Sequence, residues 1–196
     1  MANEPETMPA FEALLALTAE RGWQGLAMTD IARRCHWPMA KLCQNFGSKW
    51  AILAAYFDQI DTELLQEDLA DPDSSVRDRL FEALMFRFDR MAPHKEGLHA
   101  VLRSAVFDPT LWPCGLQRMM HSCGLSLEAA GISSGGLAGR IKIKGLLAVY
   151  LATMRVWLED DSAGLEKTMA ALDQGLGRLD GLAELLFRRR PLDPPS

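Results

Sequence analysis

From Ile31 to Phe57 the sequence carries no carboxylate, yet Arg33, Arg34, Lys41 and Lys49 all fall inside that stretch. Cations unopposed by acids on a short segment suit a polyanion, and nucleic-acid phosphate is the natural candidate. An ordinary solvated helix face would give the same local charge. The chain as a whole has a formal net charge of -5, so any such attraction has to be local. Other chemistry leaves little trace. No GxSxG, HExxH, P-loop or paired metal motif occurs, and the GLG at Gly175 to Gly177 sits inside a helical pattern where it cannot cradle a phosphate. His94, His99 and His121 lack the spacing for a shared metal. Cys35, Cys43, Cys114 and Cys123 show no CxxC spacing and are expected as buried thiols in a reducing compartment. Neither an enzyme nor a cofactor or metal is expected.

The elements that must position those cations are helical. Of the 196 residues 48% are hydrophobic and 24% charged, as in a globular chain able to bury a core. Apolar residues recur at helical spacing almost throughout, and no alternating strand pattern survives. Phe11, Leu14 and Leu15 mark a first helix that should close at Gly22, a residue free to take positive φ. A short second helix is predicted over Met28 to Arg34 and a third after Pro38, which suits a first turn. Ser48 is a plausible N-cap for a long fourth helix with Leu53, Tyr56, Phe57, Ile60 and Leu64 inward. The segment Asp71 to Ser75 punctuates the chain. Further stripes follow at Phe81, Leu84, Met85 and Phe88, at Leu98, Val101, Leu102 and Ala105 up to Asp108-Pro109, and at Trp112, Leu116, Met119, Met120, Cys123 and Leu127.

The last two helices differ. Lys144 to Leu158 is apolar nearly all round and needs partners on more than one side. Leu165, Met169, Leu172, Leu176, Leu179, Ala183 and Leu186 then follow at steps of four and three, a heptad seam suited either to an internal core or to a second subunit. Phe187 to Ser196 reads as a frayed tail. MANEPETMPA carries no apolar leader and no run is long enough to cross a bilayer, so a cytoplasmic protein without stable membrane insertion is expected.

Three short helices, the second and third separated by a four-residue break, form a helix-turn-helix arrangement in which one helix can enter the major groove. The run from Phe11 to Phe57 resembles the DNA-binding domain of the TetR family of transcriptional regulators. The matching marks are Gly22-Trp23, Ile31-Ala32, Leu42, Phe46 and Ser48-Lys49, in register without a gap. The resemblance implies that Pro38 to Phe46 is the reading helix, that Lys49 meets phosphate, and that the helices after Asp58 form a regulatory body dimerising through its final pair. Where that family usually has glycine in the turn, tyrosine in the reading helix and tyrosine again two residues later, this sequence holds His36, Cys43 and Asn45. Ala27 stands where a threonine usually caps the second helix, with Thr29 nearby as a substitute hydroxyl. A thiol cannot replace a phenol reaching for phosphate; that loss costs about 1 kcal/mol, and Lys41 supplies a cation instead. Met39, Lys41 and Gln44 are the candidates for base-edge contact. Thr29, Arg33, His36 and Lys49 lie nearer the backbone, and Pro38, Ala40 and Cys43 complete the surface.

The second half is also similar, over Arg90 to Leu102 and Lys144 to Leu176, to the lipid-binding proteins of ubiquinone biosynthesis, which share the TetR fold without reading DNA. Either resemblance implies an apolar cavity. Phe86, Met119, Met120, Tyr150, Met154 and Trp157 could line it, with His121 and Arg155 as its polar groups, although such stripes are more often plain core. Leu147, Tyr150, Leu151, Leu165, Met169, Leu172, Leu176 and Leu179 are the candidate dimer surface. The expected architecture is all-α and TetR-like: a helix-turn-helix DNA-binding domain over residues 1-57, with the motif at about 27-46, a larger helical ligand-binding and dimerisation domain over 58-190, and a tail at 191-196. The expected function is that of a ligand-responsive repressor binding a palindromic operator as a homodimer, its partners double-stranded DNA and an unidentified small apolar ligand. The alternative is an isoprenoid- or lipid-binding protein that no longer binds DNA.

Overall fold

A computed structural model describes residues 4-67, 69, 73-107 and 111-187, with side chains described from residue 10 to 104 and from 113 to 181 within those ranges. Among the described residues there are nine α-helices, one 3-10 turn and no strand. The helices are α1 Glu4–Arg21, α2 Met28–Arg34, α3 Met39–Asn45, α4 Lys49–Gln66, α5 Val76–Met91, α6 Lys95–Phe107, α7 Leu111–Ala129, α8 Gly136–Leu158 and α9 Glu166–Phe187, with the 3-10 turn at Ala92–His94. The expected tail lies outside the described residues beyond Phe187, as do Asp71, Pro72, Asp108 and Pro109.

The helix ends follow from local chemistry. Gly22 closes α1 at φ +77°, its N–H donating to Thr18 O at 2.9 Å. Ser48 caps α4 by accepting from the Ala51 N–H at 3.2 Å. The cap of α2 is a correction: no hydroxyl supplies it. The Ala27 N–H instead donates to the Asp30 carboxylate at 2.9 Å, while Thr29 stands exposed.

The chain divides into two compact units. The first comprises Met1–Glu67 and Phe86–Ser122, so Phe57, where the sequence reading put a boundary, lies within α4 of this unit. Its core gathers Phe11, Leu14 and Leu15 of α1, Ile31 and Leu42 of the short helices, and Ile52, Leu53, Tyr56, Ile60 and Leu64 of α4. Helix α1 crosses α6 with no side chain between them at Gly97, where an added Cβ would stand 2.5 Å from Leu15 O and 3.0 Å from its Cα. Phe11, Tyr56 and His94 form an aromatic cluster with centroids 4.7 to 5.6 Å apart, and the Tyr56 hydroxyl donates to Arg90 O at 3.2 Å. Burial pulls the His94 imidazole below its ordinary pKa of 6.5, against a smaller opposing effect of Glu12.

The second unit comprises Asp68–Met85 and Cys123–Ser196. Here α8 and α9 pack closely because glycines sit at the contacts. A Cβ on Gly145 would meet Leu179 Cδ1 at 2.7 Å, and one on Gly175 would meet Val149 Cγ1 at 2.7 Å. The turn between them is ordered by buried Asp160. Its carboxylate accepts from the backbone N–H and hydroxyl of both Ser162 and Thr168 at 2.5 to 3.1 Å. Burial works against that charge, but the four hydrogen bonds outweigh it and hold the carboxyl well below the usual carboxylate range.

Candidate nucleic-acid interface

Helices α2 and α3 are separated by four residues, as the sequence predicts, and the break is built around His36. Its φ is +57°, the left-handed region that glycine favours and histidine tolerates better than most residues. The His36 N–H reaches Arg33 O at 3.4 Å and the Trp37 N–H reaches Ala32 O at 2.9 Å, the hydrogen-bond pair of a Schellman cap. The same pair closes α7, where Gly131 at φ +76° occupies the equivalent place. The family's usual glycine therefore answers a real backbone demand, and His36 meets it at some strain.

On this frame the predicted contact surface is open. Thr29, Arg33, His36, Pro38, Met39, Ala40, Cys43 and Gln44 are all exposed, while Leu42 and Phe46 are buried and pin α3 to the unit. The Arg33 side chain is 80% exposed, with only a distant Asp30 contact at 3.9 Å. Two expectations about the thiols need correction, since Cys43 and Cys114 are exposed. Cys35 is half-buried with its thiol 3.7 Å from Ala32 O, and only Cys123 is fully buried.

The four cations of the acid-free stretch have different fates. Arg34 pairs with Glu20 at 2.8 Å. Lys41 is half-buried, its Nζ 4.4 Å from the centroid of the Trp37 ring. Lys49, expected at phosphate, donates to Trp23 O at 2.6 Å and Leu26 O at 2.7 Å and lies 4.9 Å from the Trp23 centroid. Burial lowers its pKa from the ordinary lysine value. Trp23 in turn stacks near Trp50 at 5.1 Å, so the loop from Trp23 to Leu26 is strapped to the start of α4. Asn45 turns back along its helix, its amide donating to Lys41 O at 2.9 Å. The residue most open to phosphate is therefore Arg33.

The candidate ligand residues are distributed unevenly. In the first unit Phe86, Met119 and Met120 are half-buried, with the Arg90 guanidinium 5.0 Å from the Phe86 centroid, and His121 is exposed. In the second, Tyr150, Met154 and Trp157 are buried core and Arg155 is exposed. An open groove in the first unit runs between α1 and the 3-10 turn, past Glu12, Ala16, Pro93, His94 and Lys95; none of the candidate ligand residues borders it. Of the candidate dimer residues, Leu147, Tyr150, Leu172 and Leu176 are covered within a single chain, Leu151, Leu165 and Leu179 are half-buried, and Met169 is exposed.

Sequence reasoning missed a polar cluster in the first unit. Asp61, buried on α4, accepts from Arg87, Arg118 and Ser122, the last at 2.8 Å, and Arg118 also pairs with Asp58 at 2.9 Å. A signal existed: Asp61 follows Ile60 on the inward stripe of α4, and Arg87 sits between the inward Leu84 and Phe88 of α5. A charge on an apolar stripe asks for a buried partner. Among the described residues no group of three or more His, Cys, Asp or Glu could hold a metal, and no helix is long and apolar enough to cross a membrane.

The fold resembles that of solved regulators. A TetR transcriptional regulator from Nitrosomonas europaea aligns with a TM-score of 0.73 at 19% identity, covering 90% of this chain and 99% of that one. A TetR transcriptional regulator from a Rhodococcus species aligns with a TM-score of 0.62 at 17% identity, covering 97% of this chain and all (100%) of that one. The transcriptional regulator FadR from Bacillus subtilis, solved in complex with stearoyl-CoA, aligns with a TM-score of 0.52 at 15% identity, covering 88% and 96%. No protein-family model and no curated protein matches the chain. The chain has the TetR-regulator fold, as its first fifty residues suggest.

Proposed function

We propose that this protein is a ligand-responsive transcriptional regulator that binds duplex DNA through α2 and α3. The observation that carries the reading is the open surface from Thr29 to Gln44, free of carboxylates after Asp30 and anchored by buried Leu42 of α3 and Phe46 at its C-terminal end. A seven-residue helix held this way fits the major groove, with Arg33 at the phosphates. The module is the stretch 1-57, and the remainder to about residue 190 is the regulatory body, acting in the cytoplasm.

The protein acts as a repressor on a palindromic operator, as a homodimer whose two α3 helices meet half-sites about one helical turn apart. The exposed apolar residues of α8 and α9 support the dimer: Leu137 is 77% exposed and Ile141 52%, Ala148 and Ala152 follow on α8 at steps of seven and four, and Met169 of α9 is 41% exposed. The ligand is a small apolar molecule held among the body helices, a reading supported by the apolar acyl chain of the stearoyl-CoA bound to FadR. Its binding to one body conformation shifts the separation of the reading helices.

Selection of genomic fragments by the full chain at low salt tests the proposal. Retained duplexes, with affinity falling steeply as salt rises and with Arg33→Ala reducing the salt slope by about one, support it. One observation favours the lipid-carrier alternative: Arg34 is paired with Glu20 at the surface and Lys49 with the carbonyls of Trp23 and Leu26, so fewer uncompensated cations face outward than the sequence offers. Failure to retain any fragment, with an isoprenoid lipid copurifying, would replace the regulator reading by that one.

A further inference from the structure

The chemistry of the open α3 face goes further than the fact of DNA binding. Met39, Ala40, Cys43 and Gln44 are exposed together, at spacings of one, three and one that place them on a common side of the helix. Reading guanine in the major groove calls for a cation bridging O6 and N7, and reading cytosine calls for a carboxylate at N4. This face offers neither: it carries no acid, and its helix's lysine, Lys41, leans on the Trp37 ring. Asn45 lies about 100° further round the helix than Gln44, off this side, and turns back to donate one amide N–H to the Lys41 carbonyl. Arg33 belongs to the preceding helix, on the phosphate side of the motif. What remains is one amide and three small apolar or weakly polar groups. An amide pairs with adenine N6 and N7, and a methyl, a thioether and a thiol pack against the 5-methyl of thymine.

We infer that the half-site is centred on A·T pairs, with Gln44 reading an adenine and Met39, Ala40 and Cys43 reading thymine methyl groups. This rests on the DNA-binding reading above, and on the charge complementarity of an acid-free surface with a polyanion. Gln44 is a specificity-determining residue, distinct from Arg33, which sets affinity alone.

Sequences enriched from a random duplex library by the full chain test the inference. The expected half-sites hold A·T pairs at their centre. Replacing those thymines by uracil, which removes only the 5-methyl, lowers affinity several-fold, and 7-deazaadenine at the pair read by Gln44 lowers it about tenfold. Gln44→Ala relaxes the adenine preference and leaves the salt slope unchanged, its helical circular dichroism serving as the folding control. Half-sites centred on G·C, or an unchanged adenine preference in Gln44→Ala, would overturn the inference while leaving the regulator intact. Recovery of no duplex at all would overturn the regulator reading, and this inference with it.

Discussion

Replacing Lys49 by methionine keeps an apolar stem of the same reach as far as Cε, with sulfur in place of Cδ, and removes the ammonium. Two backbone carbonyls, Trp23 O and Leu26 O, then lose donors at 2.6 and 2.7 Å. A hydrogen bond to a charged group contributes about 1.5-3 kcal/mol, and the ring contact with Trp23 adds about 0.5 kcal/mol. Lys49 is half-buried, so water replaces part of what is lost and the net cost is about 2 kcal/mol. Urea denaturation should show that loss, with Tm lower by roughly 4-8 °C. The same variant separates a strap from a phosphate contact. A phosphate-bound lysine gives up one counterion when removed and flattens the salt dependence of DNA binding by about one unit, whereas a strap weakens binding at an unchanged slope. A Lys49→Met protein as stable as the parent, with a slope shallower by one, would refute the assignment.

Other substitutions probe the first unit. Gly97→Ala should cost about 1-3 kcal/mol in chemical denaturation, because the new methyl meets the Leu15 backbone at 2.5 Å and backbone cannot rotate aside. Asp61→Ala leaves Arg87 and Arg118 without their shared carboxylate and should cost about 3-5 kcal/mol; adding Arg87→Met should recover part of it, a coupling read from a double-mutant cycle. His36→Gly should stabilise by about 0.5 kcal/mol, since relief of the left-handed strain exceeds the extra freedom of an unfolded glycine. His94 has a folded pKa below its unfolded 6.5, so its contribution is fully present above that pH and is lost as pH falls through the lower folded value. A stability profile between pH 7.5 and 4.5 should flatten in His94→Gln.

Much of this architecture could be read before any coordinates, where the determining interaction is local. Gly22 ends α1, Ser48 starts α4 and Pro38 precedes α3 because each effect acts within one helical turn. The apolar stripe of α4 likewise reported which side would be covered: Leu53, Tyr56, Ile60 and Leu64 are buried. Side-chain roles set across long separations were not legible. Lys49 reaches carbonyls 26 and 23 residues away, and a carbonyl exists at every position, so nothing in the residue types marks those two as acceptors. Asp61 meets groups 26, 57 and 61 residues distant, so its need for a partner was visible and the partners were not. In the heptad seam the pattern was real but ambiguous. Leu172 and Leu176 repeat as a dimer surface would, and the chain's own packing covers them.

The bare crossing at Gly97 bears on how motion can pass through the first unit. Where side chains separate two helices, a displacement of one is absorbed by rotamer changes, as in a cushioned joint. At Gly97 peptide lies against peptide, and no such compliance exists. A push of α6 toward α1 therefore meets the Leu15 backbone directly, with no side chain in between to yield first.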